Sequence, residues 1–197
     1  MSNAKPVGSL MDSRFAFFQE FLKHPRQIGS IIPSSRFLEQ RILDAAGIAE
    51  VKTVVELGSG TGGTTQAILR AMPQNAKLLS IEINPHFHTL VSRIQDDRLI
   101  AHLGDACRLK EIISLHGLGA PEALISGIPF STMKHGEASQ VIEVISSLLA
   151  SNGRFVAYQV SNRVETLCRP FLGAGRMTME LLNIPPMRVY KWNKNSA

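Results

Sequence analysis

Three carboxylates and a run of glycines carry the chemistry legible in this 197-residue chain. Val54-Val-Glu-Leu-Gly-Ser-Gly-Thr-Gly-Gly63 reads as a strand running into Gly58, Gly60 and Gly62, with a helix behind it. Glycines at such a point permit tight turns and let a ligand approach the backbone closely. The spacing is G-x-G-x-G, but Gly63 also completes the dinucleotide fingerprint G-x-G-x-x-G from Gly58. Glu56 separates the two readings. A carboxylate two residues ahead of the first glycine would repel a pyrophosphate and suits a ligand with a positive amino-acid head. Glu82 closes the next strand, where a carboxylate can take two ribose hydroxyls. Asp105, in Gly104-Asp-Ala106, follows a third strand, where it can accept from an exocyclic amine. One acid after a strand is usually a helix cap. Three at the carboxyl ends of successive strands, together with the glycines, line one crevice.

The elements that must position these residues follow from periodicity. Residues 10–24 read as a helix ended by Pro25. Ser34-Ser35 caps a second helix over 36–46, with Gly47 as its stop. Strands are expected at 53–57, 77–83, 99–103, 123–126 and 155–160. Helices are expected between them, at 64–72, 85–95, 109–115 and 136–149, with another at 164–172. This alternation argues for a doubly wound α/β fold, a parallel sheet with helices on both faces. Residues 177–182 and 187–192 form two more strands joined through Pro185-Pro186. So short a link forces them to pair antiparallel. The division expected is a helical extension over 1–48, serving as membrane contact or lid, and a ligand-binding domain over 49–197.

Composition excludes several classes. Hydrophobic residues make up 44% and charged residues 19%, with mean hydropathy +0.05, which is a globular balance. No apolar run is long enough to span a bilayer, and no secretory signal is evident. Cys107 and Cys168 give neither a disulfide framework nor a metal knuckle, so reduced thiols, no metal and a cytoplasmic setting are expected. The net charge of +5 is concentrated toward the C-terminus, where residues 151–197 carry seven basic and two acidic side chains. A one-sided basic excess suits an anionic partner, either nucleic acid or a membrane surface.

Glu56-x-Gly58-x-Gly60-x-Gly62, Glu82 and Gly104-Asp105-Ala106 resemble the cofactor site of the Rossmann-like, class I S-adenosylmethionine-dependent methyltransferases. The resemblance covers about residues 50–195. It implies a seven-stranded, mostly parallel sheet with an antiparallel last strand. It implies that Gly58, Ser59, Gly60, Thr61 and Gly62 pass under the methionine part of the cofactor and that Glu56 orients the turn and the ammonium. Glu82, with Ile83 beside it, would hold the ribose, and Asp105, between Gly104 and Ala106, the adenine.

The substrate side is read from Ser126-Gly-Ile-Pro-Phe130, which follows the fourth strand. It is similar to the tetrad of amino-directed nucleic-acid methyltransferases, which begins with Asn or Asp and ends Pro-Tyr or Pro-Phe; the ribosomal RNA adenine dimethylases carry such a tetrad. Here Pro129 and Phe130 are kept while Ser126, followed by Gly127, stands at the first position, which weakens adenine methylation. The face of Phe130 suits an ammonium or sulfonium. His24, His135, Tyr158 and solvent are the candidates for accepting the amine's proton. In the first helix, Leu10, Met11, Phe15, Phe17, Phe18, Phe21 and Leu22 share one face at helical spacing, with Arg14 inside the arc. Such a helix packs on the core or lies in a membrane interface.

Phe15 to Arg36, Ser126–Phe130 and Pro185-Pro-Met-Arg-Val-Tyr-Lys-Trp192 resemble the soluble bacterial phospholipid N-methyltransferases. These methylate phosphatidylethanolamine, and a related group methylates ornithine lipids. The resemblance implies a peripheral enzyme on the inner face of the cell membrane. It would bind anionic lipids through Arg14, Phe17, Phe18, Phe21, Lys23 and Arg26, and Arg36, Arg163, Arg169 and Arg176 can meet lipid phosphates as well. RNA is the alternative partner. The length leaves no room for the extra helical domain usual in RNA dimethylases, which favours a lipid or small-molecule amine.

Overall fold

The computed structural model describes residues 35–183 and 185–195. The helix expected over 10–24, the lipid-facing Arg14, Phe17, Phe18, Phe21, Lys23 and Arg26, and His24 lie outside those residues. The first described helix, α1 (Arg36–Ala46), is capped by the Ser35 side chain and stopped at Gly47, which takes φ 62°. Its Leu38, Ile42 and Ala46 are buried with Val54, Ile125, Val156 and Val189 of the sheet. Residues counted from sequence with the extension thus contribute to the core of the sheet itself.

Strands and helices then alternate: β1 (Thr53–Leu57), α2 (Gly63–Ala71), β2 (Lys77–Glu82), α3 (Pro85–Val91) and β3 (Leu99–Leu103). They are followed by α4 (Leu109–Leu115), β4 (Ala123–Ser126), α5 (His135–Leu148), β5 (Arg154–Gln159), α6 (Arg163–Leu172), β6 (Arg176–Glu180) and β7 (Met187–Asn193). The seven strands form one sheet in the order β3-β2-β1-β4-β5-β7-β6. β1 to β5 pair parallel, and β7 inserts antiparallel between β5 and β6. The doubly wound sheet with an antiparallel last strand is therefore as expected.

Alternating strand residues supply two cores. Val55, Leu57, Leu124, Phe155 and Ala157 face α4, α5 and α6. Val54, Leu78, Ile125, Val156 and Val189 face α1 and α2. Phe155, Tyr190 and Trp192 stack across β5 and β7, with ring centroids 5.3 and 5.7 Å from the indole. One helix ends earlier than its sequence suggests. α3 stops at Val91, and Ile94 turns back to donate to the Val91 carbonyl, so that both side chains lie against Gly62. The winding reverses between β1 and β4, and an open α/β sheet holds ligands in the crevice at that point.

Candidate active site

Gly58, Gly60 and Gly62 all adopt positive φ, at 76°, 54° and 88°. The turn they form lies at the carboxyl end of β1, beside the end of β4. A Cβ on Gly60 would meet nothing within 4 Å, so the turn fronts open space there. The turn is pinned from the next strand. One oxygen of Glu82 accepts from the Gly60 N–H and the other from the Asn84 N–H, both at 2.9 Å. Burial raises the Glu82 carboxyl above the usual carboxylate range, against the pull of these backbone donors.

Glu56 is fully buried on β1. Its Oε2 accepts from Thr65 Oγ1 at 2.6 Å and from Ser80 Oγ at 2.9 Å. Its Oε1 has no hydrogen-bond partner among the described residues, and neither have the buried Ser59 Oγ, Gln159 Oε1 and Ser161 Oγ. Buried polar atoms are normally satisfied. These four belong to the carboxyl ends of β1 and β5 and the loops that follow. Burial pushes the Glu56 carboxyl up to about 7, the two hydroxyl donors offsetting only part of that cost.

Asp105 caps the short 3-10 turn Ala106–Arg108, accepting from the Cys107 N–H at 2.9 Å. Gly104 donates to the Glu82 carbonyl at 3.0 Å, which holds the Gly104-Asp105-Ala106 turn beside β2. All three sequence-predicted acids thus stand at the ends of β1, β2 and β3.

The substrate-side residues divide. Ser126 is fully buried at the end of β4, and its hydroxyl accepts from the Ile128 N–H at 3.3 Å. Gln159 of β5 donates to the Ile128 carbonyl at 2.5 Å and braces the loop. Pro129 accepts from Thr132 in the turn that follows. Phe130 is fully buried in the core that contains Leu57, Ala138 and Val164. Its ring has no polar handle, and it packs inward instead of standing open beside an amine. His135 is exposed at the first turn of α5. Tyr158 has its hydroxyl 3.5 Å from Thr64 Oγ1. Burial first, and the charge of Glu56 second, push its phenol well above the ordinary value, so it keeps its proton and serves as a hydrogen-bonding group.

Tyr158 also explains Gly127. A Cβ there would lie 2.4 Å from the phenolic oxygen and 2.9 Å from the Gly58 carbonyl oxygen. The phenol can retreat, but the Gly58 backbone cannot move without disturbing the glycine turn. Gly127→Ala is expected to cost about 1–3 kcal/mol by overpacking, read as a lower Tm in a thermal melt.

The chain is similar to the ornithine lipid N-methyltransferase of Singulisphaera acidiphila, 26% identical over 183 residues that cover 91% of this chain and 95% of that one. It is 31% identical over 126 residues to ribosomal RNA small subunit methyltransferase A of Rhodococcus opacus, a match covering 59% of this chain and 40% of that protein. No protein-family model matches. The O-methyltransferase TomG of Streptomyces achromogenes, solved in complex with S-adenosylmethionine, superposes with a TM-score of 0.67. That superposition covers 92% of this chain and 90% of TomG at 12% identity. The chain has the class I S-adenosylmethionine-dependent methyltransferase fold.

Within that methyltransferase fold, three residues escaped the sequence reading. Ser80 stands opposite Glu56 in the β1–β2 register, and Thr65 reaches it from the first turn of α2. Ser80 had a signal, a hydroxyl inside the apolar run Leu78-Leu-Ser-Ile81. Gln159 had a similar one, at the end of a strand otherwise rich in apolar residues.

Proposed function

We propose that this chain is an S-adenosylmethionine-dependent N-methyltransferase acting on the amine of a membrane lipid, phosphatidylethanolamine or an ornithine lipid, at an anionic membrane surface. The reading is carried by the similarity to a lipid N-methyltransferase across 91% of this chain and 95% of that one. The ribosomal RNA methyltransferase match takes in only 40% of that relative, so RNA is the second reading.

The residues present fit the cofactor. The open space before Gly60 admits a ligand against the backbone, and the orphan Glu56 Oε1 is a buried acceptor suited to a cationic head. Glu56 would receive the ammonium, Glu82 the ribose hydroxyls and Asp105 the adenine amine. Each Glu82 oxygen accepts one backbone N–H and keeps further lone-pair capacity. When bound, S-adenosylmethionine supplies a methyl group already activated on a sulfonium. The chain's part is position and charge complementarity. Ser126, Gly127 and Ile128 shape the acceptor side, and Gln159 holds that loop against β5. An acceptor ammonium must lose a proton before its nitrogen can attack. Tyr158 does not take it, because its own proton is held more tightly than in water. His135, exposed at the start of α5, is the side chain through which that proton would leave to solvent. Residues 10–24 would serve as a membrane contact or lid.

The test incubates the protein and radiolabelled S-adenosylmethionine with anionic liposomes containing phosphatidylethanolamine or ornithine lipid, and separately with total RNA. Label is expected in the lipid phase, and the liposome that takes it names the acceptor. Label in RNA alone overturns the lipid reading.

A further inference from the structure

We infer that the carboxyl rim of the sheet, from the start of α1 to the β6–β7 connection, seats directly on an anionic bilayer and turns the cleft toward it. The inference rests on the lipid reading above and concerns residues beyond the first helix. Phe37, Leu181 and Leu182 are 57%, 70% and 63% exposed, and Val160 is 42% exposed. They come from segments remote in sequence that the topology gathers on one edge. β5 and β6 both pair antiparallel with β7, so their ends, Gln159 and Glu180, lie on the same side. α1 is tied there twice, from its N-cap and from its middle. The Ser35 N–H donates to Asn183 Oδ1 at 2.9 Å, and Arg41 Nε donates to Glu180 Oε2 at 2.8 Å. β1, β4 and β5 run parallel, so the glycine turn and the Ser126 loop open on this same edge.

The charge on the rim complements lipid phosphate. Arg36 is exposed at the first turn of α1. Arg163 donates to the Ser131 carbonyl and Arg188 to the Val160 carbonyl; neither has a carboxylate partner among the described residues. Two acids on this edge are paired with arginines, Glu180 with Arg41 and Glu165 with Arg169. An exposed phenylalanine on the first turn of α1 and exposed leucines after β6, beside arginines with no carboxylate partner among the described residues, fit the boundary between head groups and acyl chains. Arg169 and Arg176, expected from sequence to meet lipid phosphates, sit at the end of α6 and the start of β6, on the opposite edge. Leu115, 72% exposed at the end of α4, also lies on that opposite edge and serves as a control.

The experiment measures sedimentation of the full chain with sucrose-loaded vesicles of phosphatidylglycerol and phosphatidylcholine, which hold no primary amine. Binding is therefore read independently of methylation. For L181E/L182E the lipid concentration at half-binding is expected to rise about tenfold or more, while L115E stays within about twofold of the parent. F37E is the second variant if the double substitution lowers the Tm. Parent chain that fails to bind, or rim variants that bind like it, overturn the inference. Lipid methylation with unchanged rim-variant binding overturns the rim alone. Rim-dependent binding without methylation of any lipid supports the rim and removes the acceptor assignment.

Discussion

Glu82→Ala is expected to abolish detectable cofactor binding and to lower stability by about 2–4 kcal/mol. The substitution strands two backbone donors, the N–H groups of Gly60 and Asn84, that now meet the carboxylate at 2.9 Å each. The buried Asn84 N–H left without a partner costs about 1–3 kcal/mol, and the part-buried Gly60 N–H costs less because water can reach it. The sum is reduced because burial already disfavours the charged carboxylate, and removing it relieves that penalty. Binding suffers more than folding does, since the Gly58 N–H still donates to the Ile81 carbonyl while the middle of the turn loses its tie to β2. Gly60→Ala separates the two effects. Its methyl meets no neighbour, so it costs only the strain of a positive φ, about 1–2 kcal/mol, but it enters the open space proposed above for the ligand. Chemical denaturation and isothermal titration with S-adenosylmethionine read both quantities. Retention of tight binding by either variant would remove the glycine turn from the cofactor site.

The second large effect is a pH dependence centred on Glu56. Its carboxyl rises from an ordinary 4.5 to about 7 because it is buried. The folded chain therefore holds this proton more tightly than the unfolded chain does. The contribution to stability is complete below pH 4.5 and is lost as pH rises through 7, amounting to about 3 kcal/mol by pH 8. Glu56→Gln keeps an acceptor for Thr65 and Ser80 and is expected to flatten this slope, becoming the more stable protein at pH 8. Cofactor affinity runs the other way. A cationic group at the orphan oxygen favours the carboxylate, so affinity should climb up to about tenfold between pH 6 and pH 8. The glutamine variant should bind weakly at every pH. Melts and titrations across that range check both signs, and a flat profile in the parent chain would sink the assignment.

Much of this was legible in the sequence because the governing signals are local. Strand and helix periods, the Ser35 cap, the Gly47 stop and the three acids each depend on a few neighbouring residues. What stayed hidden depends on residues far apart in the chain. Nothing near Glu56 in sequence reveals that Ser80 meets it across the register. Phe130 reads as a substrate-side aromatic from its motif, but its burial is decided by α5 and α6, which arrive later. The early end of α3 has the same origin, since Ile94 is drawn back to Gly62. Tyr158 and Gly127 explain one another only after β4 and β5 are laid side by side.

The placement of β7 governs the order in which the sheet can be assembled. β7 follows β6 in the chain but lies between β6 and β5. On a ribosome, β6 emerges with no strand to join, and β5 presents an open hydrogen-bonding edge until residues 187–193 arrive. Phe155 waits over the same interval for the indole of Trp192. The nascent chain can form the glycine turn early, but it closes its sheet only when β7 slots in, and until then β5 is the edge most prone to pair with another copy.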